Sequence, residues 1–238
     1  MLDDSEVQRA LCVMAHPDDV DFGSAGTVAA WVKQGIEVSY CLVTDGDAGG
    51  FDPSVPRADI AGIRRAEQTA AANEIGVTDL TFLGYPDGRL EPTLELRRDL
   101  SRVIRQKRPD RVICQSPERN YQRIFASHPD HLAAGEATLC AVYPDARNPF
   151  TFTELLDEGW EPWTVREVWM GAFTNPNRYV DITDTVELKL AALRRHESQL
   201  PDADATMERV RQWVTATAKA AGLPEGSCAE GYLVIETG

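Results

Sequence analysis

The sequence predicts an α/β fold with a mostly parallel sheet and helices on both faces. Three observations lead there. Short apolar runs alternate with longer stretches of helical period. The helical stretches stop at Gly or near Pro. Asp and His gather where the strand-like runs end, which is where open α/β sheets bind ligands.

The elements follow in order. Ala10–Ala15 is short, apolar and strand-like. Gly23–Gln34 reads as a helix closed by Gly35, and Glu37–Thr44 as the second strand. Asp59–Ile75 is helical up to Gly76, and Leu80–Leu83 is the third strand. Thr93–Lys107 is a helix stopped near Pro109, Arg111–Gln115 the fourth strand, and Asp130–Val142 the fourth helix. The second half is less regular. It offers strands at Val165–Phe173, Tyr179–Ile182 and Tyr232–Ile235, and helices at Thr183–Gln199 and Ala205–Ala221. The Trp-containing stretch Trp160–Trp169 is expected to be core rather than interface. No internal repeat or linker interrupts the chain, so residues 1–238 are expected to form a single domain. Two long loops, Asp45–Arg57 and Ser116–Ser127, are candidates for function.

Composition narrows the partners. Charged residues make up 26% of the 238 positions, ordinary for a folded domain, but the formal net charge is -14. An acidic chain lacks the clustered Lys and Arg that phosphates require, so nucleic acid is set aside, as is an anionic membrane surface. No apolar run reaches the ~18–20 residues of a membrane span. The N-terminal residues are acidic, and the five cysteines lack C-x-x-C spacing. The expected location is therefore the reducing cytoplasm.

The sharpest signal is a pair of His-Pro-Asp triplets, His16-Pro17-Asp18-Asp19 and His128-Pro129-Asp130-His131. Composition alone gives roughly 0.02 such triplets, and three of the four histidines fall in the two motifs. Turns in which Asp caps a helix and Pro fixes φ would explain part of each motif. They would not explain His at both. His16, Asp19 and His131 form a set of two histidines and one carboxylate, the pattern of catalytic zinc with an open fourth position. The same set suits Fe(II). Asp18 is the neighbouring carboxylate able to take a proton from water, or else a helix cap. His128 is a candidate for steadying an oxyanion or protonating a leaving group. Asp130 is a candidate for orienting a histidine, or else the N-cap of the helix before Leu132.

These motifs resemble those of the PIG-L/LmbE-like deacetylase family. Thr44-Asp-Gly-Asp-Ala-Gly, Ile63-Arg64-Arg65-Ala66-Glu67, the run Phe82–Gly88, Tyr143–Arg147 and His196-Glu-Ser-Gln199 extend the likeness over about residues 9 to 236. Asp21 stands where many members have Glu. The resemblance implies a Rossmann-like fold and a zinc-dependent hydrolase that removes an acetyl group from the nitrogen of an N-acetylglucosamine-type sugar. It implies His16, Asp19 and His131 as metal ligands, Asp18 as general base, and His128 as the oxyanion partner. It also places Arg64 and Asp87 at the sugar. A metal-dependent phosphoesterase, an amidase acting on a sugar-thiol conjugate and a non-enzymatic binding protein are the alternatives. The expected partner is a small amino-sugar substrate, with homo-oligomerisation left open.

Overall fold

The computed structural model describes residues 1–122, 124–171 and 175–238. Its central strand, β1 (Arg9–Met14), is buried along nearly its whole length. The pleat sends alternate side chains to opposite faces. Leu11 and Val13 join one apolar cluster, whereas Ala10, Cys12 and Met14 join another. A strand that must be apolar on both faces reads as a continuous hydrophobic run, the signature seen in the sequence.

On either side of β1 lie β2 (Glu37–Thr44) and β4 (Arg111–Gln115), both parallel to it. Next to β2 comes β3 (Asp79–Tyr85), and next to β4 comes β5 (Glu167–Gly171), again parallel. The sheet ends in β7 (Ala229–Glu236) and β6 (Arg178–Asp181), whose pairings are antiparallel. The order is β3-β2-β1-β4-β5-β7-β6. The predicted strand Val165–Phe173 corresponds to β5, and its positions 172 and 173 lie outside the described residues.

Helices α2 (Ala25–Lys33) and α3 (Arg57–Glu74) cover one face, and α4 (Leu94–Lys107) and α5 (Pro129–Cys140) the other. Trp169 packs edge-on to Trp31 inside the first cluster, so this part of the Trp160–Trp169 stretch is core as expected. A short α6 (Glu154–Asp157) was not anticipated. Helices α7 (Val186–Leu193) and α8 (Ala203–Ala220) close a third apolar cluster with Ile182 and Cys228.

Two predicted helices are broken. The stretch read as Gly23–Gln34 is α1 (Asp19–Gly23) followed by α2, with Ser24 between them at φ -144°. Gly26, early in α2, packs so closely on Ile182 that an added Cβ would sit 2.6 Å from its Cδ1. The stretch read as Thr183–Gln199 ends as α7 at Leu193, and a single 3-10 turn follows at Glu197–Gln199. The break falls at His196, whose imidazole is held inside the protein by Asp21.

The chain leaves β1 toward β2 on one side, and later returns to place β4 on the other. A crevice therefore opens at the carboxyl end of β1, where open α/β folds bind ligands.

Candidate functional site

The carboxyl end of β1 leads directly into His16. Its backbone N–H donates to Asp19 Oδ2 at 2.7 Å, which folds the His-Pro-Asp-Asp turn onto itself. His131 comes from the first turn of α5 and faces the same point. His16 Nδ1 lies 3.2 Å from His131 Nε2 and 3.3 Å from Asp19 Oδ2, and His131 Nε2 lies 3.0 Å from Asp19 Oδ1. A tetrahedral site with bonds of ~2.0–2.1 Å has edges of ~3.3–3.4 Å between ligand atoms. The two imidazole nitrogens and the Asp19 carboxylate, which meets each of them with a different oxygen, thus converge at separations close to those of such a site.

Each imidazole is turned by a partner on its other nitrogen. His16 Nε2 is 3.0 Å from Asp87 Oδ1 and 3.3 Å from Asp130 Oδ2. Asp130 is fully buried and also accepts from the Gly88 and Leu90 backbone N–H groups, at 2.7 and 3.2 Å. His131 Nδ1 faces the Ala126 carbonyl at 3.4 Å. Hydrogen bonds of this kind fix the tautomer and leave the metal-facing nitrogen with its lone pair. A second group of donors, His16, Asp87 and His128, also converges. Within it, Asp87 faces His16 at Nε2, the nitrogen that Asp130 also faces.

The electrostatics ask for a cation. Burial works against charge on His16, but its contacts with Asp130, Asp19 and Asp87 outweigh burial and push the imidazole up to about 12. His131 is likewise raised, against its burial, chiefly by Asp19. Carboxylates that draw protons onto two imidazoles would be balanced equally well by a divalent ion on the same atoms.

Asp18 is set apart. It has φ 98°, a left-handed conformation that costs a non-glycine residue energy, and its side chain makes no cap bond to α1. The capping alternative is therefore not what the turn does. Its backbone N–H donates to Gln68 Oε1 at 2.8 Å, and its Oδ2 accepts from Arg64 Nη2 at 2.9 Å. Burial pushes the carboxyl up to about 6, with Arg64 opposing the rise. A carboxylate poised near neutrality suits proton transfer.

His128 is the N-cap of α5: its Nδ1 accepts the Asp130 backbone N–H at 3.2 Å. Asp130 sits inside the helix and supports His16, so it is not the cap. With Nδ1 accepting, the proton of a neutral His128 sits on Nε2 as a donor. Burial first, then positive charge at His16, lower its pKa below the usual imidazole value.

Residues 11–142 match the family model described as PIG-L, GlcNAc-PI de-N-acetylase. The chain belongs to the PIG-L family. A diacetylchitobiose deacetylase of Thermococcus kodakarensis is 35% identical over 83% of this chain and 72% of its own length. A probable N-acetyl-α-D-glucosaminyl L-malate deacetylase of Bacillus anthracis is 31% identical over 81% of each. The solved N,N'-diacetylchitobiose deacetylase of Pyrococcus horikoshii superposes with a TM-score of 0.89 at 32% identity, over 97% of this chain and 85% of that one.

Within this PIG-L fold, the eight residues singled out from sequence converge on one crevice, but not all face open space. Arg64 is buried. Its guanidinium donates to Asp18, to the Gly46 carbonyl at 3.1 Å and to the Pro17 carbonyl. Asp87 is turned to His16, and its Oδ2 accepts from the Ala48 N–H at 3.3 Å.

Sequence reasoning missed a layer behind the site. Gln68 Nε2 donates to Asp21 Oδ2 at 2.8 Å, and the same oxygen lies 2.8 Å from His196 Nε2. All three side chains are fully buried. Lys189 Nζ donates to the Asp21 and Phe22 carbonyls and to Glu230, tying the turn to α7 and β7. Gln68 lies one helical turn after Arg64 on the same face of α3, a spacing that could have flagged it.

Proposed function

We propose that this protein is a zinc-dependent hydrolase that removes the acetyl group from the nitrogen of an N-acetylglucosamine-type sugar conjugate. The reading treats residues 1–238 as one catalytic domain. The observation that carries it is the convergence of His16, Asp19 and His131 on one point, with Asp18 next to Asp19 in the same turn, its carboxyl pushed up to about 6 by burial, in a chain of the PIG-L family.

His16 Nδ1, Asp19 and His131 Nε2 would hold the zinc, with Fe(II) able to use the same atoms. When bound, the metal polarises the acetamide carbonyl and lowers the pKa of water. Asp18 accepts a proton from the attacking water, held in place by Arg64. His128 offers its Nε2–H to the developing oxyanion. The proton on Asp18 then passes to the departing nitrogen, leaving acetate and a free amine. Asp130 holds His16 in position. Asp87 and Arg64 border the crevice where the sugar enters. Both are already engaged by protein groups, so their part in recognising the sugar rests on their remaining hydrogen-bonding capacity.

Among the described residues no helix is long and apolar enough to cross a membrane. The five cysteines are free, four of them buried, which supports the cytoplasmic reading.

The test is acetate release from a panel of N-acetylglucosamine derivatives, with metal-stripped protein and with protein reloaded with zinc. Acetate that appears only with metal is the expected result. One metal stoichiometrically bound, with no acetate from any derivative but hydrolysis of aryl phosphates, would replace this reading with a phosphoesterase.

A further inference from the structure

Asp19 and His131 do more than face each other. They also line a depression of about 360 Å³ at the ends of β1, β4 and β5, bordered by Met14, Gln115 and Gly171. Phe22, Phe125 and Trp213 form its apolar walls. The same three rings line an adjoining depression of about 410 Å³ that opens outward. One face of α8 builds its side, through Thr206, Arg209, Val210 and Trp213, at helical spacing. A trough therefore runs from two of the metal-ligand candidates out past these three rings and Phe51. Phe125 is 74% exposed, a large apolar surface to leave in water.

A reacting acetamide must sit over the ligand atoms, so the trough is left for whatever the amino sugar is attached to. Its chemistry selects among aglycones. Apart from Asp19, the charged residues among the described ones lining it are Glu118 and Arg209, one of each sign. Arg209 already donates to Thr206 Oγ1 at 2.7 Å. A dicarboxylate such as malate calls for paired cationic groups, which the described residues of this lining do not supply. An alkyl chain would have no use for the amides and hydroxyls of Ser116, Asn120 and Gln199 that border the rings. A pyranose matches both features: its C–H faces are apolar and weakly electropositive, suited to the negative face of an aromatic ring, and its edges carry hydroxyls.

Resting on the deacetylase reading, we propose that this trough is the subsite for a second, uncharged sugar ring, with Phe125 and Trp213 as its stacking platform. The substrate class is then a neutral N-acetylglucosamine-containing oligosaccharide.

The experiment compares kcat/KM of the zinc-loaded enzyme for N-acetylglucosamine, N,N'-diacetylchitobiose, N-acetylglucosaminyl malate and octyl N-acetylglucosaminide. The disaccharide is expected to exceed the monosaccharide by about tenfold or more, the scale of one good aromatic contact. Phe125→Ala and Trp213→Ala should each cut that ratio by roughly fivefold or more, and Phe125→Tyr should preserve it. A ratio near one, a ratio the alanine variants leave alone, or preference for the malate or octyl compound would overturn the subsite. Calorimetry of the two neutral sugars on zinc-loaded Asp18→Asn protein separates the two claims. Disaccharide binding that weakens in the alanine variants, without acetate release by the native enzyme, keeps the subsite and removes the reaction. Acetate released equally from mono- and disaccharide, with equal binding, keeps the reaction and removes the subsite.

Discussion

The same triplet, His-Pro-Asp, occurs at two places in this molecule and is used in opposite ways. In the first, His16 points Nδ1 into the ligand triad, and Asp18 stands outside it in a left-handed turn, its carboxylate held by Arg64. In the second, His128 stands outside the triad and caps α5, and Asp130 is sealed behind it as a support for His16. The difference lies in what the chain does at the aspartate. At Asp18 the backbone bends away before α1 begins, so the side chain is presented to the crevice. At Asp130 the residue is already helical and its side chain turns inward to the Gly88 and Leu90 amides. Identical residues acquire different roles because the backbone conformation and the groups behind them differ.

Exchanging the matching residues should expose that asymmetry. The largest effect belongs to His16→Ala, which removes a donor and leaves Asp19, Asp87 and Asp130 without their common partner. Loss of bound metal by elemental analysis, together with loss of activity, is expected. Full metal content would break the ligand assignment.

Asp18→Asn and His128→Gln come next. Each should retain one metal per chain while kcat falls, by ~10²–10⁴-fold for Asp18 and about 10²-fold for His128. Full activity in Asp18→Asn would end its role as base. The contrast with Asp130→Asn is the sharpest test of the two triplets. That variant should act on the metal first, weakening its affinity by about 10–100-fold, and excess zinc should restore most of the activity. If zinc leaves Asp130→Asn as inactive as Asp18→Asn, the two aspartates are not functionally distinct.

How far the sequence could be read follows from the range of the forces involved. The apolar alternation of β1, β2 and β4 and the Gly stops at Gly35 and Gly76 are local, and the sheet followed from them. The crevice was legible because three histidines and the strand-exit carboxylates are short-range features of turns. Contacts to residues outside the two His-Pro-Asp motifs were not legible, because no local pattern marks their partners. The His196–Asp21 pair spans 175 positions and breaks a helix that local periodicity would have continued. The left-handed turn at Asp18 depends on Gln68, fifty residues away. Arg64 and Asp87 were expected at the sugar; the structure places them beside the crevice, and their engagement with Asp18 and His16 needed the folded chain.

The smallest effect asks whether that hidden layer shapes catalysis or only stability. Gln68 is fully buried and links two groups: its Oε1 receives the Asp18 N–H, and its Nε2 reaches Asp21, which in turn faces His196. Gln68→Ala leaves a buried N–H and a buried carboxylate oxygen short of a partner, a loss of about 1–3 kcal/mol. For a chain of this size that lowers Tm by roughly 2–4 °C per kcal/mol. If the layer serves only stability, kcat well below the new Tm should be unchanged. If it holds Asp18 in its left-handed conformation, kcat should fall about tenfold with KM and zinc content preserved, because the carboxylate loses its aim toward the water while substrate and metal contacts stay in place. The second outcome is expected. Asp18 makes no side-chain cap bond to α1, so Gln68 behind its backbone and Arg64 on its side chain add to the backbone bonds of its carbonyl in holding the turn against relaxation.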